Sequence, residues 1–149
     1  MKTSIQLFIT ALLIISITAC SDPENTATQI RNINVISASD LVKHDENTII
    51  LDVRTPREYT AGHIDGALNI NIAEDSFASQ VAELDRDMTY IVHCATNVEN
   101  GRTTQSLAIM QDLGFTKLMN LEGGIVAWEK SGQPMIELRE TKDPQQHFE

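Results

Sequence analysis

From Ile33 onward, short apolar runs alternate with segments whose apolar residues recur at helical spacing. "INVIS" (Ile33 to Ser37) reads as a strand, with Ser39 and Asp40 placed to cap a short helix after it. "TIILDV" (Thr48 to Val53) is a continuous run rich in β-branched residues, the mark of a strand buried on both faces. Pro56 suits the first turn of a short helix reaching Tyr59. Glycines punctuate "GHIDGALNINI", leaving Ala67 to Ile70 as a third strand. Phe77, Val81 and Leu84 then share one helical face. "TYIVHC" (Thr89 to Cys94) is the fourth strand. Leu107, Met110 and Leu113 form the buried stripe of a helix opening near Arg102, which Gly114 closes in a left-handed turn. Lys117 to Leu121 is a fifth strand, and Gly124 to Lys130 a last short helix around Trp128, read as a core residue.

Strands alternating with helices predict an α/β fold, a five-stranded, mostly parallel sheet with helices on both faces and right-handed crossovers. The 149 residues suit one domain with a real core, placed at 33–134. No internal repeat interrupts it, and the polar residues 135–149 read as a solvated tail. A hydrophobic content of 42% excludes a disordered chain. With 11 basic against 21 acidic residues the net charge is −10. Such a surface repels nucleic acid and anionic lipid headgroups, so neither is an expected partner. Any site for a small anion must then rely on local dipoles.

The first twenty residues stand apart from this pattern. Lys2 precedes an apolar stretch from Ile5 to Ile17, too short for an ordinary membrane span. It ends in "ITAC", which resembles the lipobox of bacterial lipoproteins, with Cys20 as the acylated first residue after cleavage. Residues 1–20 are thus expected to be a lipoprotein signal peptide and residues 21–32 a flexible tether. The expected location is the cell envelope, with the domain lipid-anchored and facing the periplasm or the exterior. Ser21 after the cysteine favours an outer membrane. Lipid on Cys20 leaves Cys94, the other of two cysteines, without a partner in an oxidising compartment. A lone thiol there is either a small buried hydrophobe or is kept for its reactivity.

Position favours reactivity. In a parallel α/β sheet ligands sit outside the carboxyl ends of the strands, and Cys94 ends a central one. A thiolate is the nucleophilic form, and a helix N-terminus favours the anion. Backbone N–H groups of Ala95, Thr96, Asn97, Val98, Glu99, Asn100 and Gly101, curled around the sulfur, would make a bowl for a thiolate, persulfide or oxyanion. Arg102 would fasten that loop or meet a tetrahedral anion.

"LDVRTPREYTAGHIDGALNI" (Leu51 to Ile70), "YIVHC" before the loop and "LEGGIVAW" (Leu121 to Trp128) together resemble the rhodanese-like domain, in the right order. The resemblance runs from about Ile33 to Pro134. It implies a three-layer rhodanese-like fold and a sulfurtransferase. Cys94 would take the outer sulfur of thiosulfate or a related donor as a persulfide and pass it to a thiol or cyanide. No metal or organic cofactor is implied, and a monomer is expected. Asp52, Arg54, Glu58 and His63 would support the site, the first three as a hydrogen-bonded set holding the first short helix, His63 by pinning a turn. The loop from Cys94 to Arg102 is longer than the family's usual one, and it carries Glu99. Pointing inward, Glu99 would raise the thiolate's pKa and repel thiosulfate; in a bulge facing water it would change little. Two other readings remain: a rhodanese-fold sulfur carrier, sensor or protein-binding module with little turnover, and a cysteine phosphatase, whose fixed Cys-to-Arg spacing the long loop spoils. A thioredoxin-type redox protein is disfavoured because no resolving cysteine exists.

Overall fold

The structure, a computed structural model, describes residues 30–96 and 101–137. Strands β1 (Arg31–Ile33), β2 (Thr48–Asp52), β4 (Leu68–Asn69), β5 (Thr89–His93) and β6 (Leu118–Leu121) form one sheet. Their order is β1-β6-β5-β2-β4, and every neighbouring pair is parallel. Helices α1 (Val35–His44), α2 (Pro56–Ala61), α3 (Phe77–Ala82), α4 (Arg102–Asp112) and α5 (Gly124–Lys130) connect them. A small antiparallel pair, β3 (Gly62–Ile64) and β7 (Met135–Glu137), stands apart.

Period-two alternation splits the central strands between two cores. Leu51, Tyr90, Val92 and Leu118 pack with Phe77, Val81, Leu107, Met110 and Phe115 under α3 and α4. Ile50, Ile91, Met119 and Leu121 pack with Val35, Ala38, Ile64, Ile125 and Trp128 on the other face, under α1 and α5. The apolar middles of β2 and β5 are the consequence: a strand covered on both faces has no solvent side for a polar residue, and polar residues stand only at the strand ends. Trp128 is core as expected, its indole N–H donating to the Pro134 carbonyl at 3.0 Å.

Three boundaries differ from the sequence reading. Of the segment from Ile33 to Ser37 only Ile33 is strand, as the last residue of β1. Asn34 accepts from the Ser37 N–H through its side chain and starts α1 at Val35. Val35 and Ala38, one helical turn apart, are both buried, so helical burial outweighs the local β-branched preference. Ser39 caps nothing; its hydroxyl donates to Gln133 Oε1 at 2.6 Å. Arg31 and Asn32, assigned to the tether, pair with Met119 and Asn120 in the sheet. Met135, Ile136 and Glu137, assigned to the tail, pair with Ile64, His63 and Gly62. Three-residue strands carry almost no period of their own, and partners 71 to 88 residues away decide them. Residues 1–29, with the expected signal peptide and Cys20, and residues 138–149 lie outside the described residues.

Candidate active site at the end of β5

Cys94 directly follows β5, the middle strand of the sheet, at its carboxyl end, and is 4% exposed. It is a free cysteine. Its thiol donates to the Thr96 carbonyl at 2.7 Å. The chain after it is strapped down by the first turn of α5. The Ile125 N–H donates to the Cys94 carbonyl at 3.0 Å, and the Val126 N–H to the Ala95 carbonyl at 3.3 Å.

The glycine pair explains how α5 comes so close. Gly124 has φ +60, and a Cβ there would lie 2.6 Å from the Cys94 carbonyl oxygen and 2.8 Å from that of Ala95. Gly123 has φ +74, and its Cβ would stand 2.5 Å from that of Ala127. Left-handed backbone and backbone-to-backbone contact both call for glycine. "LEGG" is therefore a piece of the site, although nothing in its local pattern says what it approaches.

On the other side of the loop, Arg102 opens α4 and meets Glu58 of α2 in a two-pronged pair, Nη1 to Oε2 at 2.8 Å and Nη2 to Oε1 at 2.9 Å. Glu58 Oε2 also accepts from the Thr55 N–H and hydroxyl, closing the capping box of α2. The guanidinium, followed by the Thr55 donors, pushes the Glu58 carboxyl down to about 2. Glu58 in turn raises the Arg102 pKa, with Cys94 and Asp52 also contributing to the field there. Arg102 thus fastens the end of the loop to α2, and its charge stays in the site.

At the paired carboxyl ends of β2 and β5 lies a buried polar group. Asp52, at the end of β2, is fully buried and takes the Arg54 side chain on both oxygens, Nε at 2.9 Å and Nη2 at 2.6 Å. Arg54 Nη2 also donates to the Gly62 carbonyl at 2.8 Å. Asp52 is paired in register with His93, whose Nε2 is 3.8 Å from Asp52 Oδ2. Burial pushes the His93 pKa down, and the Asp52 charge pulls it partly back.

The expected set of Asp52, Arg54 and Glu58 is therefore two separate pairs. Asp52–Arg54 is buried at the end of the sheet; Glu58 turns away to the half-exposed Arg102. A nearby residue serves each charge, so no single network forms. His63 joins neither. Its Nδ1 is 3.0 Å from the Tyr59 carbonyl and its ring stacks on Tyr59 at 3.8 Å, tying β3 to the end of α2. Asn97, Val98, Glu99 and Asn100 lie outside the described residues. Sequence reasoning passed over His93 as a site residue. The available signal was a polar residue closing an otherwise apolar buried strand, one position before the thiol.

A cleft of about 300 Å³ opens beside the Glu58 carboxylate, with Gly62 and Ile125 in its wall and Glu129 and Glu137 also lining it. Among the described residues no group of three His, Cys, Asp or Glu side chains stands together as a metal-ligand set.

A cysteine at the carboxyl end of a parallel sheet, its carbonyl held by the first turn of α5, stands where an α/β domain of this kind gathers its ligands. The model of the rhodanese-like domain matches residues 37–131, well over half of the chain. The chain belongs to the rhodanese-like family, and its fold is the rhodanese fold. A probable adenylyltransferase/sulfurtransferase, MoeZ, of Mycobacterium tuberculosis is 39% identical over 85 residues, 57% of this chain. The chain spans only 21% of that protein's length. Thiosulfate sulfurtransferase GlpE of Shewanella oneidensis is 30% identical over 98 residues, covering 64% of this chain and 92% of that one. A crystal structure of a rhodanese-related protein from Thermoplasma volcanium superposes with a TM-score of 0.61 at 30% identity, over 71% of this chain and 97% of its own.

Proposed function

We propose that the protein transfers sulfane sulfur through Cys94. The thiolate attacks the outer sulfur of thiosulfate or a related donor, the S–S bond of the donor breaks, and sulfite leaves with the bonding pair. The persulfide so formed then gives its terminal sulfur to a thiol or to cyanide and regenerates the thiolate. The observation that carries this reading is the placement of Cys94: a nearly buried free thiol at the end of the central strand, its following carbonyls held by α5. Relatives named as sulfurtransferases support it at the level of the family. The lipobox-like "ITAC" supports a lipid-anchored domain at the envelope, and the chain's negative charge supports small-molecule rather than nucleic-acid partners.

One observation favours the second reading, a carrier or sensing module with little turnover. The Cys94 thiol donates to the Thr96 carbonyl at 2.7 Å, so the sulfur faces an acceptor there and not a donor that would favour a persulfide anion. Intact-protein mass spectrometry of the chain from Ser21 onward, before and after thiosulfate, separates the two. Addition of one sulfur, removed by cyanide and absent in Cys94→Ala, supports transfer. Sulfur that loads but turns over slowly supports the carrier. Failure to load from thiosulfate and from polysulfide refutes both sulfur-handling readings.

A further inference from the structure

His93 has no exposed surface, and both its ring nitrogens face oxygen atoms. Nδ1 is 3.1 Å from the Cys94 carbonyl oxygen. Nε2 is 3.8 Å from Asp52 Oδ2, beyond hydrogen-bond reach, and has no hydrogen-bond partner among the described residues. A neutral imidazole has one N–H to give. Placed on Nδ1 it makes a hydrogen bond. Placed on Nε2 it reaches nothing and turns the Nδ1 lone pair onto a carbonyl oxygen. Only the imidazolium would serve both sides, and burial opposes it. Asp52 has no need of that proton, because Arg54 already covers both its oxygens. The proton therefore sits on Nδ1 and Nε2 is a buried lone pair without a donor. A wholly buried polar atom left unpaired calls for a reason.

The reason lies in the carbonyl that Nδ1 touches. It accepts from Ile125 N–H as well, so two donors from two elements fix one oxygen. The peptide unit is planar and trans, so its N–H, that of Ala95, points the opposite way. Fixing the Cys94 carbonyl against His93 and α5 therefore turns the Ala95 N–H away from both, on the first peptide after the nucleophile. We propose that His93 is a positioning residue for the Cys94 loop: its Nδ1–H clamps the Cys94 carbonyl and so holds the Ala95 N–H ready to stabilise the sulfur anion. This rests on Cys94 being the reactive sulfur. The charged groups within reach of the ring are Asp52 and Arg54, both on the β2 side; on its own strand it faces the peptide of Cys94.

The test is the rate of Cys94 alkylation by iodoacetamide as a function of pH, on the full chain, in His93→Asn, His93→Gln and His93→Leu. An asparagine amide nitrogen takes the place of Nδ1; a glutamine amide lies near Nε2 instead. The expected result is an alkylation profile displaced to higher pH by roughly one unit in Leu and Gln, and returned to the wild-type position in Asn. If Leu does not fold, the comparison of Asn with Gln decides by itself. Equal profiles for Asn and Gln, or a wild-type profile in a folded Leu variant, overturn the proposal. Alkylation needs no sulfur donor. A chain that shows the His93 dependence yet never loads sulfur would keep the clamp and refute the transfer reading alone.

Discussion

Replacing Gly124 by alanine tests the close approach on which the site is built. Two costs arise, and they are separable. At φ +60 an alanine backbone costs about 1–2 kcal/mol relative to its ordinary conformations. In addition the new methyl would lie 2.6 Å and 2.8 Å from two carbonyl oxygens, both backbone atoms that cannot swing aside. Relieving that contact moves α5 off the loop and stretches the bonds from Ile125 and Val126, now 3.0 Å and 3.3 Å. Overpacking of this kind costs about 1–3 kcal/mol. The sum is about 2–5 kcal/mol, a large share of a small domain's stability. Gly66→Ala is the control. Its φ is +76, but a Cβ there would have nothing within 4 Å, so only the backbone cost applies. Urea unfolding of the two variants should place Gly124→Ala about 1–3 kcal/mol below Gly66→Ala. Iodoacetamide should also report a displaced Cys94 in the first and an undisturbed one in the second. Equal stabilities and equal alkylation rates would refute the account of the glycine pair.

Two further outcomes follow from the buried charges. Asp52→Asn leaves the Arg54 guanidinium, whose side chain is 7% exposed, facing a neutral amide; breaking such a buried pair from one side costs about 3–5 kcal/mol, measurable by chemical denaturation. Acid should act in two windows. His93 holds its proton more weakly when folded than its unfolded value of 6.5. As pH falls below 6.5 the unfolded chain gains a proton that the folded one refuses, so stability drops, by at most about 1.4 kcal/mol per pH unit. Glu58 behaves as a depressed carboxylate: its contribution is whole above 4.5 and lost as pH falls toward about 2. Because Glu58 and Arg102 are 36% and 34% exposed, solvent screening keeps the second step small. Thermal melts across both ranges check this, and His93→Asn should abolish the first step only; a first step that persists in that variant would assign it to another group.

The central strands and the longer helices were legible because their evidence is local. A both-face-buried strand is apolar through its middle, so "TIILDV" and "TYIVH" announce β2 and β5, and Leu107 and Met110 announce the buried stripe of α4. Cys94 stood out for the same reason, as the residue that closes such a strand in a sheet whose ligands gather at that end. The order of three motifs carried the family. What the sequence did not settle is what depends on residues far apart in the chain. The pairing of β3 with β7, of Arg102 with Glu58 and of α5 with the Cys94 carbonyl joins positions 31 to 75 residues apart, and short segments carry no periodic sign of such partners. Asp52, Arg54 and Glu58 lie within seven residues of one another, and sequence alone grouped them; the fold divided them because Arg102 offered Glu58 a better-placed cation than Arg54 could. His93 gained its meaning only when the sheet set it level with Asp52 and buried both. Burial pattern, in short, is written residue by residue, whereas the partner of a buried polar atom is chosen by whichever element the completed fold brings against it.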